Sequence, residues 1–280
     1  MIEVLKLLFL LSFGFSALTH AFFWYESANG LHREYLERLS RGRVMWWIAR
    51  GVVNGIGSIL LVGILFPLGL FRGFRFPSAS GGSGLPPVIL VHGLYHNASA
   101  WALYRYWLRR SGFTRAYAVN YSSFGKSFEE IVKGLEDFVR EVESENPGRP
   151  AVMIGHSLGG LICRAFADAP GNVGRIQAVI TLGAPHRGSK LAALSLGRLG
   201  QSLRYDGPLF KELERSSAPA GSHRLALFSP MDTMVLPFEA LKINDPAWRQ
   251  LEVAPVGHLG MLFHRPTART AIDFLRETAQ

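Results

Sequence analysis

The chain has 280 residues, room for one large domain with appendages, and 48% of them are apolar. Its formal charge of +9 is spread along the sequence without a basic run, which excludes a nucleic-acid-binding tail or stripe. The single cysteine, Cys163, excludes an intramolecular disulfide and a cysteine-based zinc site.

Two segments, Leu7–Tyr25 and Gly51–Phe71, contain no Asp, Glu, Lys or Arg. Each is long enough, at about 1.5 Å of rise per residue, to cross a hydrocarbon core of about 30 Å as a helix. Leu18–Ala21 is a loose small-residue cleavage site, so the first segment also fits a signal peptide; its length and the cancelling Glu3 and Lys6 favour an uncleaved anchor. The second has no polar stripe, and its Gly51 and Gly55 form a GxxxG that permits close helix approach. Arg33, Arg38, Arg41, Arg43 and Arg50 between the two place the connecting loop in the cytoplasm by positive-inside counting. The sequence therefore predicts a two-span membrane region over residues 1–75, with spans at about 4–25 and 50–71. The rest is expected on the outer, periplasmic face of a bacterial inner membrane.

Residues 76–87, FPSASGGSGLPP, read as a flexible linker, after which strand-like and helix-like stretches alternate. Pro87–Gly93 is a continuous apolar run, as expected of a strand buried on both faces, followed by a helix over Trp101–Gly112 closed by glycine. A strand at Ala116–Tyr121 precedes a helix opened by a capping box, Ser127 with Glu130, with Ile131, Leu135, Phe138, Val139 and Val142 at helical spacing. Further strands are expected at Ala151–Gly155, Ile176–Gly183, His223–Ser229 and Arg249–Ala254. Helices are expected at Leu158–Ala169, across Ser189–Leu203 and near the C-terminus. This alternation predicts an α/β fold: a mostly parallel sheet covered by helices on both faces, spanning residues 86–280, with a short cap around 188–222.

Within it, Gly155-His156-Ser157-Leu158-Gly159 is a G-x-S-x-G at a strand-to-helix junction. In a nucleophile elbow the serine occupies a strained turn, and glycines two residues away on either side relieve clashes. The helix that follows points its positive dipole end at the site. A nucleophilic serine needs a base, and the base an orienting acid. Asp232 follows the strand at His223–Ser229 and His258 the strand at Arg249–Ala254, and loops after parallel strands gather at one sheet edge. The order Ser157, Asp232, His258 is the nucleophile–acid–base order of this architecture. The backbone N–H groups of Leu158 and Leu94 are the candidate oxyanion donors.

The stretches LVHGLYHNASAW, IGHSLGGL, TLGAPHRGS and VGHLGML together resemble the α/β-hydrolase superfamily, specifically its bacterial lipase-like members, over about residues 86–278. The resemblance implies a serine esterase with an ester or lipid substrate. Ser157 would be the nucleophile, Asp232 the acid, His258 the base, and Leu94 and Leu158 the oxyanion donors. The chain departs from that pattern in lacking a cysteine pair and a calcium-ligand cluster, and Gly188–His223 is short for an elaborate lid.

Other residues have plainer readings. His92 braces the oxyanion loop, His156 packs beside the elbow, and His186 bonds to backbone near the site, while His96, His223 and His264 belong to surface or loops. Asp206 falls in the cap and Asp245 in a turn, and Cys163 is a small buried helix residue. Leu191, Leu194, Leu199 and Leu203 line an acyl pocket or pack on the core, with nothing in the sequence to choose between them. The histidines lack metal-ligand spacing, and neither cofactor, metal nor nucleic acid is called for. The expected activity is a membrane-anchored carboxylester hydrolase. An acyltransferase using the same triad, or a non-catalytic hydrolase-like membrane protein, is the alternative.

Overall fold

The computed structural model describes residues 2–75, 84–215 and 221–279, so most of the predicted linker and part of the predicted cap lie outside the described residues. The chain opens with three helices, α1 (Ile2–Ala28), α2 (His32–Leu39) and α3 (Val44–Leu65), then a 3-10 turn at Phe66–Leu70 and a single helical turn, α4 (Arg72–Arg75). Pro67 stands at the start of that 3-10 turn, where a missing N–H costs least.

From Val88 onward, strands and helices alternate as the hydrophobic runs predict. The strands are β1 (Val88–Val91), β2 (Ala116–Val119), β3 (Ala151–His156), β4 (Ile176–Leu182), β5 (His223–Phe228) and β6 (Arg249–Glu252). They form one sheet in the order β2-β1-β3-β4-β5-β6, with every pairing parallel. The helices are α5 (Ala102–Arg110), α6 (Phe128–Glu145), α7 (Leu158–Asp168), α8 (Gly197–Ser202), α9 (Pro208–Arg215) and α10 (Arg265–Thr278).

Strand periodicity divides the core into two layers. Ile89, Val91 and Met153 pack with α6 and α7, whereas Val88, Leu90, Val152 and Ile154 pack with α5 and α10. Both faces are therefore dry, which is why these strands read as unbroken apolar runs. The capping box forms: Ser127 Oγ accepts from Glu130 N at 3.2 Å, and Ser127 N donates to Glu130 Oε2 at 2.6 Å.

Asp168, at the end of α7, sits buried between Arg164 and Arg224, at 2.5 Å from Arg224 Nη1 and 3.7 Å from Arg164 Nε. Asp168→Asn strands two buried cations, a loss worth about 3–5 kcal/mol. Thermal denaturation should show a midpoint lower by about 10 °C; a shift within about 2 °C would mean the cluster is not stabilising.

The hairpin α1–α3 is closely packed. Adding a Cβ at Gly51 would place it 2.6 Å from His20 Nε2, and one at Gly55 would lie 2.3 Å from Ser16 Oγ. The GxxxG thus receives a small polar stripe of α1. The connection between the apolar segments is more than a loop, because α2 docks on the portion that carries the sheet. His32 stacks on Phe238 at 4.1 Å, Tyr35 Oη donates to Glu252 Oε2 at 2.5 Å, and Leu36 packs with Met231 and Leu236. The 3-10 turn that follows α3 is tied down too: Asn97 Nδ2 donates to Phe66 O at 2.9 Å, and Asn120 Nδ2 to Gly69 O at 2.7 Å.

The single helix expected across Ser189–Leu203 is instead two short pieces, a 3-10 turn at Lys190–Leu194 and α8. Gly197, with φ +75°, breaks the chain between them. Leu199 and Leu203 join the core, Leu191 packs partly against the hairpin, and Leu194 is exposed.

Candidate active site

The C-terminal edge of the sheet carries Ser157, Asp232 and His258, on the connections that follow β3, β5 and β6. Ser157 joins β3 to α7 with φ +55° and ψ −127°, a strained conformation for a residue with a side chain. It is held by Ser157 N donating to Leu182 O at 2.9 Å and Gly160 N donating to Ser157 O at 2.9 Å. The two flanking glycines are sterically required. A Cβ on Gly155 would lie 2.3 Å from Gly159 C, and one on Gly159 would lie 2.0 Å from Val91 O.

Asp232 follows β5 and His258 follows β6. Their side chains meet, with His258 Nδ1 and Asp232 Oδ2 at 2.7 Å, and both are buried. Asp232 Oδ1 accepts from Met234 N at 2.9 Å and Val235 N at 3.0 Å, which fixes the carboxylate. A carboxylate on Nδ1 holds the proton there and leaves Nε2 as the basic nitrogen. Asp206 lies elsewhere, paired with Arg187, and Asp245 accepts from Ala247 N in its turn.

His92 is fully buried beneath the loop that carries Leu94. Its Nδ1 bonds Gly93 O at 2.8 Å, its Nε2 accepts from Tyr121 N at 3.3 Å, and its ring stacks on Tyr121 at 4.1 Å. Tyr121 Oη in turn donates to His92 O at 2.6 Å. The loop is thereby braced from below, with Tyr95 at φ +60° and Tyr95 N donating to Ser123 Oγ at 2.7 Å. Among the described residues, neither Leu94 N–H nor Leu158 N–H has an acceptor.

His156 does more than pack. Its Nε2 donates to His258 O at 3.1 Å, and the two rings lie 4.6 Å apart, so it positions the loop that carries His258. Sequence reasoning missed this tie, because a backbone acceptor 102 positions away leaves no local signal. His186 meets the Thr181 hydroxyl at 3.2 Å rather than a backbone group, and packs against Trp248. His96 sits partly buried in its loop, its Nδ1 accepting from Asn97 N at 2.8 Å. His223 is exposed, and His264 meets Thr267 Oγ1 at 2.9 Å at the start of α10. Cys163 is fully buried, which pushes its thiol up and leaves it unreactive.

Burial drives His92 and His186 down to about 3 and His96 to about 4. These histidines are neutral when folded, whereas the unfolded chain protonates them below about pH 6.5. Protons therefore favour unfolding: this stability is complete above about pH 6.5 and is lost as pH falls toward 3–4. The slope is about 1.4 kcal/mol per pH unit for each histidine. Thermal midpoints at pH 7 and pH 5 should show the protein clearly less stable at pH 5; equal midpoints would contradict neutral burial.

A parallel sheet that bends through a positive-φ serine into a helix, with a buried Asp–His pair on the loops beyond, defines an α/β hydrolase. A profile described as the alpha/beta hydrolase family matches residues 88–277, and the chain belongs to that family. A triacylglycerol lipase of Pseudarthrobacter phenanthrenivorans is 33% identical over 114 residues, covering 38% of this chain and 35% of the relative. The chain spans about a third of the length of the curated relatives it matches first.

Among solved structures, Aspergillus fumigatus lipase B superposes with a TM-score of 0.63 at 16% identity, covering 71% of this chain and 55% of that one. A mature Bacillus licheniformis lipase gives 0.60 at 18% identity, covering 72% and 96%. These two likenesses speak for the fold. The chain is thus an α/β hydrolase, part of which resembles a triacylglycerol lipase.

Proposed function

We propose that the chain is a membrane-associated serine carboxylester hydrolase that cleaves lipid-like or apolar esters through an acyl-enzyme. The observation that carries this reading is the buried 2.7 Å Asp232–His258 pair at the sheet edge that also presents strained Ser157. His258 Nε2 takes the Ser157 Oγ proton as Oγ attacks the ester carbonyl. The N–H groups of Leu94 and Leu158 hold the oxyanion, each contributing about 3–4 kcal/mol. Collapse expels the alcohol, which leaves with the proton from His258. Water, deprotonated by His258, then attacks the acyl-enzyme, and release of the acid restores Ser157. A serine-directed fluorophosphonate tests this: it should label the Ser157 peptide of the full chain, and an unlabelled Ser157 would overturn the reading.

The lipid-facing part of the proposal rests on the hairpin. Residues 1–75 form the membrane region and residues 86–280 the hydrolase domain. Two helices here are long and apolar enough to cross a membrane, Lys6–Ala28 and Val44–Leu70. Yet the segments on either side of α3 both touch the hydrolase, α2 through His32 with Phe238 and the following 3-10 turn through Phe66 and Gly69 with Asn97 and Asn120. Loops with such polar groups are not tolerated along a lipid-surrounded crossing. This packing favours a hairpin kept on the same side of the membrane as the hydrolase, its exposed Leu7, Phe9, Leu11, Trp46 and Val53 meeting lipid, over the two free spans that length and composition suggest. In sealed vesicles, Arg41→Cys and Arg269→Cys should then react with an impermeant maleimide from the same side. Reaction from opposite sides would restore the two-span topology.

A further inference from the structure

Two asparagine side chains join the turn that leaves α3, Phe66–Leu70, to the loop that follows β1. Asn97 accepts from Ser99 N through Oδ1 at 2.9 Å and donates to Phe66 O through Nδ2 at 2.9 Å. Asn120 accepts from Ala98 N at 2.6 Å and donates to Gly69 O at 2.7 Å. A backbone N–H can only donate and a carbonyl only accept, so neither amide can be turned over. Each faces its oxygen to the loop and its nitrogen to the turn. Resting on the serine-hydrolase reading above, we infer that this turn, through Asn97 and Asn120, positions the Leu94 N–H that holds the oxyanion. The apolar hairpin is then a working part of the site and not only a tether.

The first support is location. Leu94 follows Gly93, and a Cβ added to Gly93 would lie 3.0 Å from Ser157 Cβ, so this loop runs against the nucleophile. Its conformation decides where Leu94 N–H points relative to an ester held at Ser157.

The second is an accounting of the loop's backbone donors. Tyr95 N is bonded to Ser123 Oγ, His96 N to Gly93 O, and Asn97 N to the ring of His96. Ala98 N and Ser99 N go to the two amides, and Ala100 N to Asn97 O. Every N–H from 95 to 100 is therefore tied, as folded backbone requires, while Leu94 N–H has no acceptor among the described residues. The two ties that depend on the amides are the ones the turn holds in place.

The third is the absence of slack. Gly69 is buried, and a Cβ there would lie 2.1 Å from Asn97 Oδ1 and 2.8 Å from Ser99 N. The turn thus presses on the amide and the loop together. A preorganised donor acts through its aim, and a misplacement of about 1 Å can cost about 100-fold in rate.

Two variants loosen this clamp from opposite sides without touching substrate. Gly69→Ala drives a methyl group into the Asn97 amide. Asn120→Asp keeps the oxygen that accepts from Ala98 N but sets a second oxygen, instead of a donor, against Gly69 O. In the full-length protein each should lower kcat for p-nitrophenyl butanoate about tenfold, per site titrated with fluorophosphonate, with KM within about twofold.

An alkyl trifluoromethyl ketone reads the oxyanion site itself. Ser157 Oγ adds to its carbonyl carbon, the Oγ proton passes to His258, and the carbonyl oxygen becomes the oxyanion. Its Ki should rise by about the same factor as kcat falls. Gly63→Ala, in α3, adds a Cβ that meets nothing within 4 Å and should match wild type in both assays. Should Gly69→Ala yield no folded protein, Asn120→Asp decides alone. A variant that melts lower yet keeps wild-type kcat and ketone Ki overturns the positioning role and leaves the hydrolase reading intact. Wild type that neither hydrolyses the ester nor takes the label at Ser157 overturns both.

Discussion

Replacing Ser157 by alanine is expected to lower ester turnover by about 10⁵-fold in kcat, to a level set by the oxyanion donors and bound water alone. The argument runs through geometry as much as chemistry. Alanine keeps the Cβ that packs against Gly93, where an added Cβ would sit 3.0 Å from Ser157 Cβ, and it accepts the same φ of +55° at similar strain. The Asp232–His258 pair does not depend on the hydroxyl. The variant should therefore melt within about 2 °C of wild type while losing both turnover and phosphonate labelling. Turnover retained to within tenfold would place the nucleophile elsewhere.

Asp232→Asn should cost about 10⁴-fold in kcat with little change in KM, for a reason specific to this site. Met234 N and Val235 N both donate to Asp232 Oδ1. An asparagine must keep its carbonyl oxygen in that position, because an amide NH2 there would face two donors. Its NH2 is then forced toward His258 Nδ1, which becomes an acceptor. The imidazole proton moves to Nε2, and the base can no longer take the proton from Ser157. Substrate contacts are untouched, so the loss belongs to kcat. An Asp232→Asn variant with kcat within tenfold of wild type would show that His258 is oriented by something else.

Much of the hydrolase portion was legible because its signals are local or follow from topology. Runs such as Val88–Val91 and Ala151–His156 read as strands because both faces of the sheet are covered, and Ser127 with Glu130 announced α6 four residues at a time. Ser157 was marked by Gly155 and Gly159, whose hydrogens sit where a Cβ would strike backbone. Asp232 and His258 could be paired across 26 positions only because parallel strands bring their following loops to one edge.

What the sequence hid is what packing decides. An apolar helix that crosses lipid and one that lies along a domain have the same composition, so nothing in the sequence announced that Phe66 and Gly69, just beyond α3, are tied to Asn97 and Asn120. The docking of α2 through His32 and Tyr35 has no periodic signature over so short a helix. Ser189–Leu203 looked like one amphipathic helix, yet Gly197 at φ +75° splits it. The link from His156 to the His258 carbonyl depends on segments that meet only in the folded chain.

The most direct test of the central claim is hydrolysis of an ester series of rising acyl length by detergent-extracted full-length protein, with Ser157→Ala as the baseline. A lipid-directed serine hydrolase gives rates that rise toward long chains and vanish in the variant. Wild-type rates no higher than the Ser157→Ala baseline across the whole series would contradict the account.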